Sequence, residues 1–286
     1  MQTISKSGLG AVFGAVALSM ATSAFATHAD LDCGSGDGDG RKALKIVGLT
    51  TEGALVCFNE VVPRLARTIG YVNGLVEDTA LVGIDFRAQG GLLYGVGNAG
   101  GVYTIDTSSG AATLVNRLTV TLAGDSFGID FNPAADRLRI VSNTGQNLRH
   151  NVDAGGTLSD GALNYTAGVT ALGISAAAYT NNDLDATTAT TLFDLDTTLD
   201  QIAVQSPPNN GSLAPTGKLN VDAAAAAGFD IYTTLSKGVA VRNEAFASLA
   251  VGGSTMLYKV NLLTGNANAV GRLKGTVVDI AVPLNQ

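Results

Sequence analysis

From about residue 43 the chain alternates between short apolar runs and polar, glycine-marked turns, and helical periodicity is nearly absent. The runs are four to seven residues long, rich in Val, Ile, Leu, Thr and Tyr, and bounded by Gly, Asn, Asp or Ser. That pattern predicts strands joined by tight turns. One stretch has helical composition, "DAAAAAG" at 222–228, with Asp222 placed to cap and Gly228 to stop. Five alanines are too few to hold a helix alone, so the stretch is expected to be a loop.

The runs recur as a set. "LVGIDF" ends at Phe86, "SFGIDF" at Phe131 and "ALGISA" at Ala176, each 45 residues after the last. "AAGFDI" then ends at Ile231, and "VVDIAV" spans Val277 to Val282. Behind each "GIDF"-like run come further segments in the same order. The first unit gives "LLYGVG", "GVYTIDTSSG" and "AATLVNRL", the second "DRLRIVSN" and "QNLRHNVDAGG". The fourth gives "GVAVRN", "ASLAVGGSTMLYKVNLLTG" and "NANAVGRL". Four short strands per unit of this length are one blade of a β-propeller. The last run has no room for three partners, while "LKIVGLT", "GALVCFN" and "ARTIGYV" near the N-terminus lack an innermost strand. Joining the two ends completes a ring. The expected fold is therefore an all-β, five-bladed propeller of four-stranded antiparallel blades, closed by pairing the C-terminal strand with N-terminal ones. A six-bladed ring, made by splitting the long third unit, is the alternative.

Two segments, "GIDFNPAADRLRIVSNTGQNLRHNVDAGG" and "TTLFDLDTTLDQIAVQSPPNNGSLAPTGKLNVD", resemble a family of bacterial exported proteins known as domain of unknown function 4394. The likeness runs over residues 43–283. It implies a repeat-built β fold and export, and brings no activity or catalytic residue with it.

Export is also legible in the first 26 residues, where Lys6 precedes an apolar run ending in Ala24-Phe25-Ala26. This is the form of a cleaved signal peptide, with a membrane anchor as the alternative use of the run. The expected organisation is a signal peptide at 1–26, a Gly/Asp-rich segment at 27–42 and one propeller domain at 43–286. Without Lys6 the chain has 16 basic against 24 acidic residues and no basic run, which argues against nucleic acid as a partner. The two cysteines, Cys33 and Cys57, are expected to form a disulfide in an exported protein. No transmembrane anchor is expected once the leader is removed.

The repeat places Asp85, Asp130, Asp230 and Asp279 at one register of the innermost strands, with Ser175 in the third unit. Facing a central channel, four carboxylates would need raised pKa values or a cation, and oxygen ligands suit Ca²⁺. The competing expectation is that each aspartate accepts hydrogen bonds holding neighbouring blades in register. A second polar group stands in the second unit, where Arg139, Arg149 and His150 replace neutral or aromatic residues of the first. With Asn143 and Gln146 they could bind an anionic or sugar-like ligand. Ion pairing between blades is their structural alternative, and Arg137 reads as turn-proximal. Asn209 and Asn210, in the rigid "SPPNNGSL" turn, are further rim candidates. The acidic stretch at Asn181, Asp183 and Asp185 lacks the glycine and the glutamate of a calcium loop and reads as a solvated turn.

Nucleophilic catalysis has little to work with, since His150 is the only histidine after His28 and glutamates number four. The expected function is an exported, non-catalytic binding module for a protein, glycan or small-molecule ligand. The alternatives are a cation-dependent hydrolase of a lactone, phosphate ester or glycoside at the channel, and a surface or matrix structural protein.

Overall fold

The computed structural model of the chain describes Met1, Leu31, Cys33, Asp37–Gly38 and residues 41–286 apart from residue 186. The expected signal peptide, Met1 aside, and most of the Gly/Asp-rich segment lie outside these residues.

Five four-stranded antiparallel sheets stand around a common axis as a five-bladed β-propeller. Blade 1 is built from Leu81–Phe86, Leu93–Gly97, Gly101–Ile105 and Ala112–Arg117. Blade 2 comprises Phe127–Asn132, Arg137–Ser142, Asn147–His150 and Thr157–Ser159. Blade 3 contains Ile174–Tyr179, Leu192–Asp196, Gln201–Gln205 and Leu213–Lys218, and blade 4 Ala227–Ser236, Val239–Val251, Ser254–Val260 and Ala267–Arg272. Blade 5 joins the chain ends: Val277–Ala281 pairs with Lys45–Thr50, followed by Ala54–Asn59 and Arg67–Tyr71. The innermost strands touch in cyclic order, with that of blade 5 against that of blade 1. Ring closure packs the edge of every innermost strand between those of its two neighbours.

The glycine of the "GIDF" run is required by this geometry. A Cβ at Gly83 would lie 2.3 Å from Ile129 of the next blade, and one at Gly128 or Gly228 would lie 2.5 Å from neighbouring main chain. Only glycine lets the inner strands come this close. Further out, strand alternation sends one side-chain set to each neighbour, producing five buried apolar clusters, one per seam between blades. The clusters include Ile46, Phe58 and Phe246 between blades 4 and 5, and Tyr94, Phe131 and Leu138 between blades 1 and 2.

Residues 222–226 form the expected loop. "GVAVRN" and "ASLAV", legible as separate segments, lie on one 13-residue strand, Val239–Val251. Its hairpin with Ala227–Ser236 ends in an exposed tip at 236–239. The extra length of the third unit is the 180–191 loop, which braces that hairpin. Asn181 and Asn243 bond reciprocally (3.1 and 2.8 Å), and Asp183 Oδ2 accepts the Ala240 N–H (3.1 Å). Cys33 and Cys57 form a disulfide that ties the N-terminal segment to the third strand of blade 5.

Candidate functional site

The four repeat aspartates are buried around the channel, and each one reaches the next blade. Asp85 accepts the N–H of Phe86 and of Phe131 in blade 2, both at 2.7 Å. Asp130 accepts from Tyr179 of blade 3 (3.2 Å). Asp230 takes Ile231 and, beyond blade 4, Val282 (both 2.5 Å). Asp279 takes Ile280 (2.9 Å) and Ile84 of blade 1 (2.7 Å). The one step without a carboxylate is from blade 3 to blade 4. There Ser175 turns back to Gly173 O (3.2 Å) and Thr197 (2.7 Å), and Asn182 donates to Ile231 O instead (3.2 Å).

One oxygen each from Asp85, Asp130 and Asp230 lies within 4.8 Å of the others, the one such convergence of acidic, histidine or cysteine groups among the described residues. Burial, and then the charge of Asp230, pushes Asp85 well above the ordinary carboxylate range. Burial followed by Asp85 and Asp230 does the same to Asp130, and burial does it to Asp279. Asp230, favoured as a carboxylate by its two N–H donors but buried, is pushed up to about 7. Such a ring relieves its repulsion by keeping protons or by holding a cation. All of its oxygens but Asp130 Oδ2 already accept from main-chain donors, whereas Ca²⁺ takes six to eight oxygen ligands.

A second constellation lies in the seam between blades 2 and 3. Across from the inner aspartate, the second strand presents Tyr94 in blade 1, Phe246 in blade 4 and Leu49 in blade 5, but Arg139 in blade 2. Arg139 is 2 % exposed and stands directly opposite Arg149 on the adjoining strand. Two guanidiniums so placed need a carboxylate, and Asp160 supplies it to both. It accepts from Arg139 (2.6 Å) and bidentately from Arg149 (2.6 and 2.9 Å). Arg139 also reaches Asn147 (2.7 Å), Asn209 (2.8 Å) and the Tyr179 hydroxyl (3.3 Å). In front of these groups is a cavity of about 210 Å³, lined by Asn132, Arg137, Arg139, Arg149, Tyr179 and Asn209 among others.

A broader cleft of about 620 Å³ follows between blades 3 and 4, with Asn181, Arg242, Asn243, Lys259 and Asn261 on its walls. Both cavities are lined from the same turns, those joining strands 1 to 2 and 3 to 4 of each blade, so they share one face of the ring. Lys259 pairs with Glu60 (2.6 Å) over the ring of Phe246.

The structure thus brings Arg139, Arg149 and Asn209 together and sends the other polar candidates elsewhere. His150 is buried in the seam between blades 1 and 2, against Asn116 (2.8 Å) and Thr157 (3.1 Å), and burial lowers its pKa. Asn143 accepts from Asp125 (3.0 Å), and Gln146 bonds Thr121 and Ala123 (both 2.9 Å), so both fasten the connection into blade 2 on the opposite face. Asn210 is exposed on a short 3₁₀ turn ending at Gly211. Asp183 and Asp185 cap their own loop. Arg87 makes ion pairs between blades 1 and 2, holding Asp136 and Asp153 of blade 2 from blade 1. Sequence reasoning missed Asp160, Tyr179 and Asp78. The Asp78 carboxylate packs where a Cβ at Gly97 or Gly101 would stand and accepts from the Tyr103 hydroxyl (2.6 Å). Gly97 and Gly101 therefore make room for an acid.

The model of a family described as Domain of unknown function (DUF4394) matches residues 54–281. The chain belongs to this family. No curated protein sequence matches this DUF4394 chain. Among solved structures it is similar to a protein of unknown function from Bacteroides thetaiotaomicron, at 15 % identity and a TM-score of 0.47 over 87 % of this chain and 67 % of that one. It is also similar to BamB from Moraxella catarrhalis, at 15 % identity and a TM-score of 0.32, covering 79 % of this chain and 58 % of BamB. A third is PorZ, a surface component of the type-IX secretion system of Porphyromonas gingivalis, at 15 % identity and a TM-score of 0.39, covering 80 % and 29 %. No helix among the described residues is long and apolar enough to cross a membrane.

Proposed function

We propose that the protein is an exported binding module without catalysis of its own, and that it takes its ligand on the face bearing the two cavities. The observation that carries this reading is the seam between blades 2 and 3, where a buried Arg139, with the half-buried Arg137 and Arg149, lines a cavity at a place that blades 1, 4 and 5 fill with Tyr94, Phe246 and Leu49. The groups that could have served catalysis have other work: the repeat aspartates hold main-chain N–H groups and His150 packs between blades. Export is supported by the leader-like N-terminus and by the Cys33–Cys57 disulfide. The ligand classes that suit the face are small anions, glycans and protein segments.

The test uses residues 27–286. Sugars, organic acids and phosphate compounds are screened by thermal shift, while lactone, phosphate-ester and glycoside substrates are assayed for turnover. The expected result is a ligand that raises the melting temperature and protects residues 133–137, 206–211 or 259–263 from hydrogen exchange, with no turnover. Turnover that disappears in Asp130→Asn while the fold is kept would overturn the reading in favour of a hydrolase. The second reading, a Ca²⁺ ion in the channel, is favoured by the 4.8 Å convergence of three carboxylates.

A further inference from the structure

The seam between blades 2 and 3 holds more positive charge than its own residues neutralise. Arg139 uses four of its five N–H donors on Tyr179, Asn147, Asp160 and Asn209. Arg149 engages only Asp160, through Nε and Nη2, so its Nη1 donors have no acceptor among the described residues. Arg137 donates to the main-chain carbonyls of Ala135 (3.2 Å) and Asp136 (2.7 Å) and has no carboxylate within ion-pairing distance among them. Asp160 is thus the acid in contact with Arg139 and Arg149, while Arg137 acts only at longer range, on the Asp153 that Arg87 already holds. The nearby Asp194 is fully buried, has no hydrogen-bond partner, and is kept towards its neutral form by that burial despite the charge of Arg139.

The neutral groups of the lining also present donors. The Asn132 Oδ1 is taken by the N–H groups of Ala134 (3.0 Å) and Ala135 (2.8 Å), which turns its amide NH₂ to the Tyr179 hydroxyl at the cavity. The Asn209 Oδ1 is taken by Arg139, which leaves its NH₂ in turn. A wall of donors with an excess of positive charge suits a ligand that is anionic and acceptor-rich. A phosphate monoester carries roughly −1.5 to −2 at neutral pH and offers three acceptor oxygens, and guanidiniums meet it in paired hydrogen bonds. The cavity of about 210 Å³ is worth some seven waters, at ~30 Å³ each, which is room for a head group and not for a polymer.

We propose that this cavity is a phosphate-monoester site, with Arg137 and Arg149 as the adjustable contacts and Arg139, fixed by Asp160, as its floor. The proposal rests on the binding-module reading and names the ligand class of the same face. It is tested by calorimetric and ³¹P NMR titration of residues 27–286 with inorganic phosphate, glycerol 3-phosphate and vesicles containing phosphatidic acid, against malonate as a dicarboxylate control. The expected result is saturable binding of a phosphate probe, weakened about tenfold or more in Arg137→Gln and in Arg149→Gln. Arg64→Gln, on a different part of the surface, should leave it unchanged, and cooperative melting checks that each variant is folded. Binding of vesicles alone would assign the phosphate to a lipid, and binding of the soluble ester alone to a free metabolite; both support the site. No saturable binding, equal affinity in both cavity variants, or malonate binding as tightly as phosphate would overturn it. The failures are separable. Absent phosphate binding removes this assignment and leaves the module reading to its own screen, whereas hydrolysis of glycerol 3-phosphate removes the non-catalytic reading and leaves the site standing.

Discussion

Three aspartates do three different things in this chain, and their surroundings decide which. Asp85 is a strut: its two oxygens join its own strand to blade 2. Removing them in Asp85→Ala leaves two buried N–H groups without acceptors, and should cost about 1–3 kcal/mol for each group that finds no water. Denaturant unfolding at pH 5.5 measures this with least interference from charge. Asp160 is a counter-ion, with a side chain only 6 % exposed against an Arg139 that is 2 % exposed. Asp160→Ala would strand a buried guanidinium, so a loss of about 3–5 kcal/mol is expected in the same assay. Asp194 is a buried acid with no bond at all, and its environment favours the proton. The strut register was legible because it repeats with the strand pattern. The counter-ion was not, since Asp160 follows the short fourth strand of blade 2 in a turn with no counterpart in blade 1. What could have signalled it is the pairing of Arg139 and Arg149 across adjacent strands, which demands a shared acid once the register is known.

At the scale of the element, alternation was enough to place nearly every strand, because each strand buries one side chain set per neighbouring blade. The exception is instructive. "VRN" at 241–243 interrupts the apolar pattern of blade 4 and resembles a turn, yet the strand continues through it. Asn243 is polar there because it bonds Asn181 of the neighbouring loop, a contact that local pattern cannot express. The Cys33–Cys57 bond is the other element-scale tie, closing a separation of 24 residues. In the chain-entropy picture a loop of that size contributes about 3 kcal/mol. A Cys33→Ala, Cys57→Ala double variant should lower stability by up to that amount while keeping the five-bladed fold, as read by denaturant midpoint and by near-ultraviolet circular dichroism. Unchanged stability would show that the segment before blade 5 is not held by the bond.

At the scale of the whole molecule, two features bind the ring: closure of blade 5 by the last strand, and the channel aspartates that step from blade to blade. Deleting residues 277–286 would expose the edge of the Lys45–Thr50 strand and remove Asp279, and aggregation in place of a monodisperse domain is the expected outcome by size-exclusion chromatography. The aspartates make a sharper demand. All four channel carboxyls are shifted above the ~3.9 of a free Asp, so the folded protein keeps protons that the unfolded chain has released. Their stabilisation is complete below about pH 4 and is lost as pH rises through the folded values, which for Asp230 is about 7. Asp194, raised by its burial, acts in the same direction, and His150, lowered by burial, pulls the other way below its usual value of ~6.5. The measurement that tests the account most directly is therefore the melting temperature of residues 27–286 from pH 5 to pH 8, in EDTA and again in millimolar Ca²⁺. If the ring is a set of proton-holding struts, melting falls as pH rises through about 7, and the two series coincide. A site filled at a hundred times its dissociation constant would instead add about 2.7 kcal/mol, a rise of roughly 5–10 °C at pH 7.5 in Ca²⁺ alone, and that result would make the channel a metal centre.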